Sequence, residues 1–178
     1  ARGLRPSAVV SRAILLGHVF GSPGPASLRA RDSRGTVPVR FLKKLLRETG
    51  FDPRKDLRVG VDGGVRSWLK LGHSPDLAVG DWDSLRDRRA LRAIPSVSLP
   101  VDKGASDLFF ACREAIARGA GEIVCSGFTG GRLDQQLGVL FDLAAVSELC
   151  PVLLRDPGLE VHFLSGANPQ WLARLPIG

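Results

Sequence analysis

Two carboxylates one residue apart, followed by a hydroxyl, stand in the segment Gly80-Asp81-Trp82-Asp83-Ser84. In an extended stretch, residues i and i+2 face the same way, so Asp81 and Asp83 share a face or a turn. Two ionised carboxylates about 4 Å apart repel by about 4 kcal/mol at an effective dielectric near 20. A hard divalent cation between them relieves that repulsion. An Asx-type turn with Ser84 capping the next helix accounts for the same residues without a ligand, so the rest of the chain has to decide. Three further polar segments lie where apolar runs give way to loops: Asp62-Gly63-Gly64, Lys103-Gly104-Ala105-Ser106-Asp107, and Gly127-Phe128-Thr129-Gly130-Gly131-Arg132-Leu133-Asp134. Carboxylates to hold a metal, glycine amides and helix starts to hold phosphate oxygens, and Lys103 and Arg132 to neutralise charge suit a polyphosphate with magnesium.

The elements that must position these segments can be read from punctuation and periodicity. Ala13-Ile14-Leu15-Leu16-Gly17 reads as a first buried strand, and Gly21 to Gly35, rich in Gly, Pro, Ser and Arg, as a mobile loop. Thr36 is expected to cap a helix with Pro38 near its first turn, Phe41, Leu42, Leu45 and Leu46 on one face, and Gly50 as its stop. Arg58 to Asp62 is a strand, Val65 to Leu71 a helix, Pro75 to Asp81 a strand, and Ser84 or Asp87 caps a basic helix running to about Ala93. Ser96 to Leu99 is extended. Ser106 caps a helix from Asp107 to Ala117, with Leu108, Cys112, Ala115 and Ile116 as its buried stripe. Glu122 to Gly127 is a central-type strand, and Arg132 starts a long helix with Leu133, Leu137, Leu140, Phe141 and Ala144 facing inward, ended by Cys150-Pro151. The turn Asp156-Pro157-Gly158 joins a final hairpin. Strands alternating with helices predict a three-layer α/β domain, its mainly parallel sheet flanked by helices and closed by a short β-hairpin. In such sheets ligands bind beyond the carboxyl ends of the strands, which is where all four polar segments fall. The expected organisation is a basic segment over 1–35 containing the first strand, a nucleotide-binding α/β domain over 36–150, and a hairpin with a tail over 151–178.

Composition narrows the class. The net charge of +7 is uneven: residues 1–58 hold 13 Lys/Arg against 4 Asp/Glu, and residues 59–178 hold 12 against 14. The basic third has no aromatic interleaving beyond Phe20, Phe41 and Phe51, so it reads as a solvated segment and a nucleic-acid surface is not expected. Residues 1–31, with five Arg, four Ser and no acid, share the composition of transit peptides, but the strand reading of Ala13 to Gly17 competes with it. No apolar run reaches the roughly 20 residues of a spanning helix. Cys112, Cys125 and Cys150 are too few and scattered for a disulfide framework or zinc site and read as buried thiols in a reducing, cytoplasmic compartment. No G-x-x-x-x-G-K-S/T or G-x-G-x-x-G segment is present. His18, His73 and His162 lie outside the polar segments, so neither a Ser-His-Asp nor a Cys-His arrangement is on offer.

The four segments, in this order, resemble the thiamine pyrophosphokinase family, whose catalytic domain shows D-G-G, G-D-F/W-D-S, K/Q-D-x-T-D and G-G-R-x-D-H/Q. Here they read Asp62-Gly63-Gly64, Gly80-Asp81-Trp82-Asp83-Ser84, Lys103-Gly104-Ala105-Ser106-Asp107 and Gly130-Gly131-Arg132-Leu133-Asp134-Gln135, and Pro75-Asp76 is also similar. The resemblance spans about residues 58–165. It implies transfer of a diphosphate from ATP to the hydroxyl of thiamine, with release of AMP and with Mg2+ as cofactor. It also implies Asp62, Asp81 and Asp83 around the metal and phosphates as catalytic residues, with Asp81 accepting the hydroxyl proton. Metal ligation by Asp81, Asp83, Asp107 and Asp102 follows, with Gly63, Gly64, Ser84, Lys103, Ser106, Thr129, Gly130, Gly131, Arg132, Asp134 and Gln135 binding ATP or substrate. The chain departs from the pattern at Gly104, where the family has Asp, and at Val65-Arg66, where it has A-N. The family's C-terminal β domain helps form the thiamine pocket, often across a homodimer. With only a hairpin and tail after Pro151, most of that domain is expected to be absent. Two alternatives accompany this reading: an ATP-magnesium-binding domain without catalysis, and a diphosphokinase for another small heterocyclic alcohol such as a hydroxymethylpterin.

Overall fold

The computed structural model describes residues 10–17, 37–82, 88–100, 104–130 and 132–167. Seven strands form one sheet in the order β4-β3-β2-β1-β5-β6-β7, parallel throughout except for the last pair. They are β1 (Arg12–Leu16), β2 (Asp56–Val61), β3 (Leu77–Gly80), β4 (Ser96–Ser98), β5 (Ile123–Ser126), β6 (Val152–Asp156) and β7 (Leu159–Phe163). Helices α1 (Val39–Glu48), α2 (Gly64–Lys70), α3 (Asp107–Ala117) and α4 (Leu133–Ser147) cover the sheet, and Arg88–Ala93 forms a short 3-10 helix. The sheet grows outward in one direction from β1 through β4, then resumes at β5 on the other side of β1. That reversal makes the β1/β5 boundary a topological switch point.

β1 is buried on both faces, which explains its unbroken apolar run. Ala13 and Leu15 pack with Leu108, Ala111, Cys112 and Ala115 of α3 and Leu143 and Val146 of α4. Ile14 and Leu16 pack with Leu42, Leu45 and Leu46 of α1 and Trp68 of α2. At the opposite end of the strands from the polar segments, part-buried ion pairs tie neighbouring strands and the loops before them together. Arg12 bonds Asp56 (2.7 Å) and the carbonyl oxygen of Thr49 (2.6 Å), and the Arg58 guanidinium grips Asp76 through two bonds of 2.9 and 2.6 Å. Asp76 thus belongs to the frame.

Two expectations need correcting. α1 begins at Val39 with Pro38 at its N-cap, φ −58° and ψ 133°, and no side chain caps it; Thr36 lies outside the described residues. The inward stripe expected on α4 is also wrong. Leu133, Leu137 and Phe141 are 70%, 44% and 71% exposed, and Ala144 is exposed too, whereas Leu143 and Val146 are buried and Leu140 is half-buried. α4 is apolar on more than one side, so its period admits two stripes. Packing on α3, β6 and β7 selects the stripe through Leu143 and Val146. Of the expected basic helix, residues 83–87 lie outside the described residues, and its end from Arg88 is the 3-10 turn.

Candidate metal and polyphosphate site

β2 and β3 run parallel with Val61 opposite Val79. One residue further on, the N–H of Asp62 donates to the Val79 carbonyl (2.9 Å), which carries Asp62 alongside Gly80. A Cβ on Gly80 would fall 1.8 Å from Asp62 Oδ1 and 2.7 Å from its Cγ. Glycine here leaves the space the carboxylate fills. Both chains then turn sharply, with φ of 46° at Asp62 and 65° at Trp82. Such left-handed conformations cost about 1 kcal/mol or more in residues with a side chain. The buried Trp82 ring, its Nε1–H donating to Ser98 Oγ (2.9 Å), anchors the second of them.

α3 brings the third acid. Ser106 is its N-cap, accepting from the Phe109 N–H (3.2 Å), and the Ser106 N–H donates to Asp142 Oδ2 on α4 (3.0 Å). Asp107, the first helical residue, meets Asp62 and Asp81, and one oxygen from each of the three lies within 4.8 Å of the others. Asp62 is buried, and its Oδ1 has no hydrogen-bond partner among the described residues. Burial first, then the Asp107 and Asp81 carboxylates, push its carboxyl up to about 8, against the pull of the Trp82 backbone N–H. A buried oxygen without a donor, facing two more carboxylates, is a donor set that fits a hard cation such as magnesium.

The sign of the linkage yields a prediction. Asp62 in the folded, metal-free protein binds its proton more tightly than in the unfolded chain, where 3.8 applies. Its contribution to stability is complete below that value and is lost as pH rises through about 8. Thermal melts in chelator are expected to show a midpoint that falls as pH rises from about 4 to about 8 and levels off above that. Adding Mg2+ should raise the midpoint most at the alkaline end; a Mg2+ effect independent of pH would contradict the charge cluster. A second prediction follows from the crowding at position 80. Gly80→Ala is expected to push the Asp62 carboxylate out of the cluster, abolishing that Mg2+ stabilisation while the far-ultraviolet circular dichroism stays native.

Beside the acids opens a cavity of about 480 Å³, walled by Val61, Leu108, Phe128 and Val139 together with Ser106, Gly130, Gln135 and Asp142. Of the residues expected at the site, Asp62, Asp81 and Asp107 come together, and Ser106, Gly130 and Gln135 line the adjoining cavity. Asp62 joins the metal candidates here, although its expected role was catalytic. Gly63 is the N-cap of α2 and Gly64 its first residue. Arg132 and Asp134 are exposed and paired with each other through the Arg132 Nε–H (3.0 Å). Asp83, Ser84, Asp102, Lys103 and Gly131 lie outside the described residues, and Gly104 lines the cavity.

In the Gly127 to Gly130 turn, the amides of Gly127, Phe128 and Thr129 and the Thr129 hydroxyl bond to Asp156, at the end of β6. Asp156 and Asp142 are the site residues that sequence reasoning missed. Asp156 did carry a signal, as an acid ending an apolar parallel strand, but Asp-Pro-Gly reads more readily as a turn. Asp142, on α4, carried none. His73, as expected of a packing residue, lies edge-on to Phe51 and Trp68. All three cysteines are buried and free, and no helix among the described residues is long and apolar enough to cross a membrane.

A sequence profile described as "Thiamin pyrophosphokinase, catalytic domain" matches residues 52–154, a span that contains the three acids and the cavity walls. A curated thiamine pyrophosphokinase of Bacillus subtilis (strain 168) is 35% identical over 94 residues, 51% of this chain and 44% of the relative. The crystal structure of a thiamin pyrophosphokinase from Geobacillus thermodenitrificans superposes with a TM-score of 0.56 at 25% identity, covering 81% of this chain and 59% of that one. The Bacillus subtilis enzyme's crystal structure gives 0.56 at 25% identity, with 82% and 61% covered. The chain thus spans less than half the length of the curated relative it matches and about three fifths of these two solved structures.

Proposed function

Because the chain belongs to the thiamin pyrophosphokinase family, we propose that it transfers a diphosphate from ATP to the hydroxyl of thiamine and releases AMP. The observation that carries this reading is the convergence of Asp62, Asp81 and Asp107 within 4.8 Å beside a cavity of about 480 Å³. The match to thiamine pyrophosphokinases supports thiamine as the acceptor. Asp62, Asp81 and Asp107 would hold magnesium. That ion, when bound, supplies positive charge against the phosphate oxygens of the diphosphate being transferred.

The chain's own residues supply position and proton transfer. Apolar walls from Val61, Leu108, Phe128 and Val139 exclude water and accept a flat ring, while Gln135 and Ser106 offer polar contacts at the rim. The acceptor hydroxyl must align with the β-phosphorus of ATP, and a carboxylate oxygen of Asp81 accepts its proton as the new P–O bond forms. The bond between the α-phosphate bridging oxygen and the β-phosphorus breaks, and AMP departs.

Incubation with ATP, Mg2+ and thiamine, followed by chromatography of the nucleotides, tests the reading. AMP that appears only with the acceptor supports it; ADP, or no turnover, counts against it. Substituting a hydroxymethylpterin for thiamine in the same assay separates the two acceptor classes.

A further inference from the structure

Asp156 ends β6 as Asp62 and Asp81 follow β2 and β3, yet donors surround it where acids surround Asp62. It is only 3% exposed. Its Oδ1 accepts from Ser126 Oγ (3.0 Å) and the Gly127 N–H (2.6 Å). Its Oδ2 accepts from the Phe128 N–H (3.2 Å), the Thr129 N–H (2.9 Å) and the Thr129 hydroxyl (2.6 Å). Three successive amides turned toward one anion make a nest, the arrangement by which backbones commonly bind phosphate. Here the chain's own carboxylate fills it, and five donors saturate a group with about four lone-pair sites.

Two consequences follow. The buried carboxylate has hydrogen-bond donors on both oxygens, so its burial is compensated within the chain. The loop between β5 and α4, at the switch point of the sheet, is also fixed from behind. Its amides at 127 to 129 are committed to Asp156, and what it offers the cavity is the Phe128 ring and the Gly130 backbone.

We infer that Asp156 is a positioning residue. It clamps the Ser126 to Thr129 loop so that Phe128 and Gly130 form the apolar wall of the cavity, and it denies phosphate groups that side of the site. The polyphosphate is thereby directed to the side of Asp62, Asp81 and Asp107, and the flat ring of a substrate to the loop. This rests on the proposed diphosphate transfer for its substrate, while the clamp itself can be read without one.

The test uses Asp156→Asn and Thr129→Val in the full chain, with amide hydrogen exchange and ATP kinetics. Asn at 156 sets an NH2 group against N–H donors; Val at 129 removes one charge-assisted hydrogen bond and keeps the side chain's shape. In the wild type, Gly127, Phe128 and Thr129 should exchange slowly. In either variant their protection should fall about tenfold or more, the factor one hydrogen bond to a charged group is worth, while β5 stays protected. Thr129→Ser should restore it. The KM for ATP should rise about tenfold with kcat little changed, since the wall holds substrate and transition state alike. Loop amides that keep their protection in Thr129→Val would overturn the inference, as would lost protection with an unchanged KM or a loss confined to kcat. If Asp156→Asn does not fold, Thr129→Val decides alone. A wild type that turned nothing over would remove the proposed function, and the exchange pattern would then decide the clamp.

Discussion

Replacing Asp62 by Asn is expected to stabilise the metal-free protein and at the same time to cut the proposed diphosphate transfer steeply. The two effects have one cause. Burial first, and then the Asp107 and Asp81 carboxylates, raise the Asp62 carboxyl to about 8, so in chelator at alkaline pH the folded state carries a desolvated, repelled charge that a neutral amide of the same shape removes. A gain of about 1 kcal/mol shifts the melting midpoint by roughly 2 to 4 °C in a chain of this size. The same change deletes one of three cation ligands. Electrostatic help to phosphoryl transfer from a bound metal is worth several kcal/mol, so AMP formation should fall by about 10³-fold at 1.36 kcal/mol for each factor of ten. Melts in chelator at about pH 8.5, set beside acceptor-dependent AMP release, check both halves. A variant less stable than the wild type under those conditions would show that Asp62 serves the fold, and the charge cluster would lose its functional meaning.

Gly64→Ala is expected to give the largest loss of stability. The new Cβ would lie 1.6 Å from the Leu16 carbonyl oxygen, 2.4 Å from its carbon and 2.9 Å from the Gly17 nitrogen. All three are backbone atoms of or just after β1, the central strand, so no side chain can rotate away. α2 must lift off the sheet, taking the buried Trp68 with it and breaking the bond from Trp68 Nε1 to the Val59 carbonyl (2.9 Å). Overpacking of a yielding core costs about 1 to 3 kcal/mol; against an unyielding strand the cost should reach about 4 kcal/mol, the range of exceptional mutations. Gly138→Ala is the informative contrast. A Cβ there meets nothing within 4 Å, and the helical position should gain about 0.5 to 1 kcal/mol from the exchange. Urea unfolding of both variants reads the two signs, and equal midpoints would contradict the packing described around Gly64.

Much of this fold was legible because its signals are local. Ser106 capping Asp107–Ala117, the apolar runs of β1, β2 and β5, and the Asp-Pro-Gly turn each announce themselves within a few residues. The rim was legible because parallel strands place their following polar residues on one side of the sheet, which brings Asp62, Asp81 and Asp107 together. Failures arose where the choice is made at long range. α4 offers two apolar stripes, and only its neighbours choose Leu143 and Val146 over Leu133, Leu137 and Phe141. The amides at the start of the glycine-rich turn after β5 look free for a ligand until β6, paired with β5 from 29 residues further along, delivers Asp156 to those of residues 127 to 129. A backbone nest has the same sequence whether it holds a ligand or the chain's own acid.

The central claim is that Asp62, Asp81 and Asp107 form one cation site for the polyphosphate. Titration with Mn2+ as the magnesium substitute, followed by electron paramagnetic resonance, tests it most directly. The account predicts one Mn2+ bound per wild-type chain and an affinity at least about tenfold weaker in Asp62→Asn and Asp107→Asn, in line with the loss of a charged oxygen ligand. Mn2+ binding of equal affinity in the wild type and both variants would contradict it.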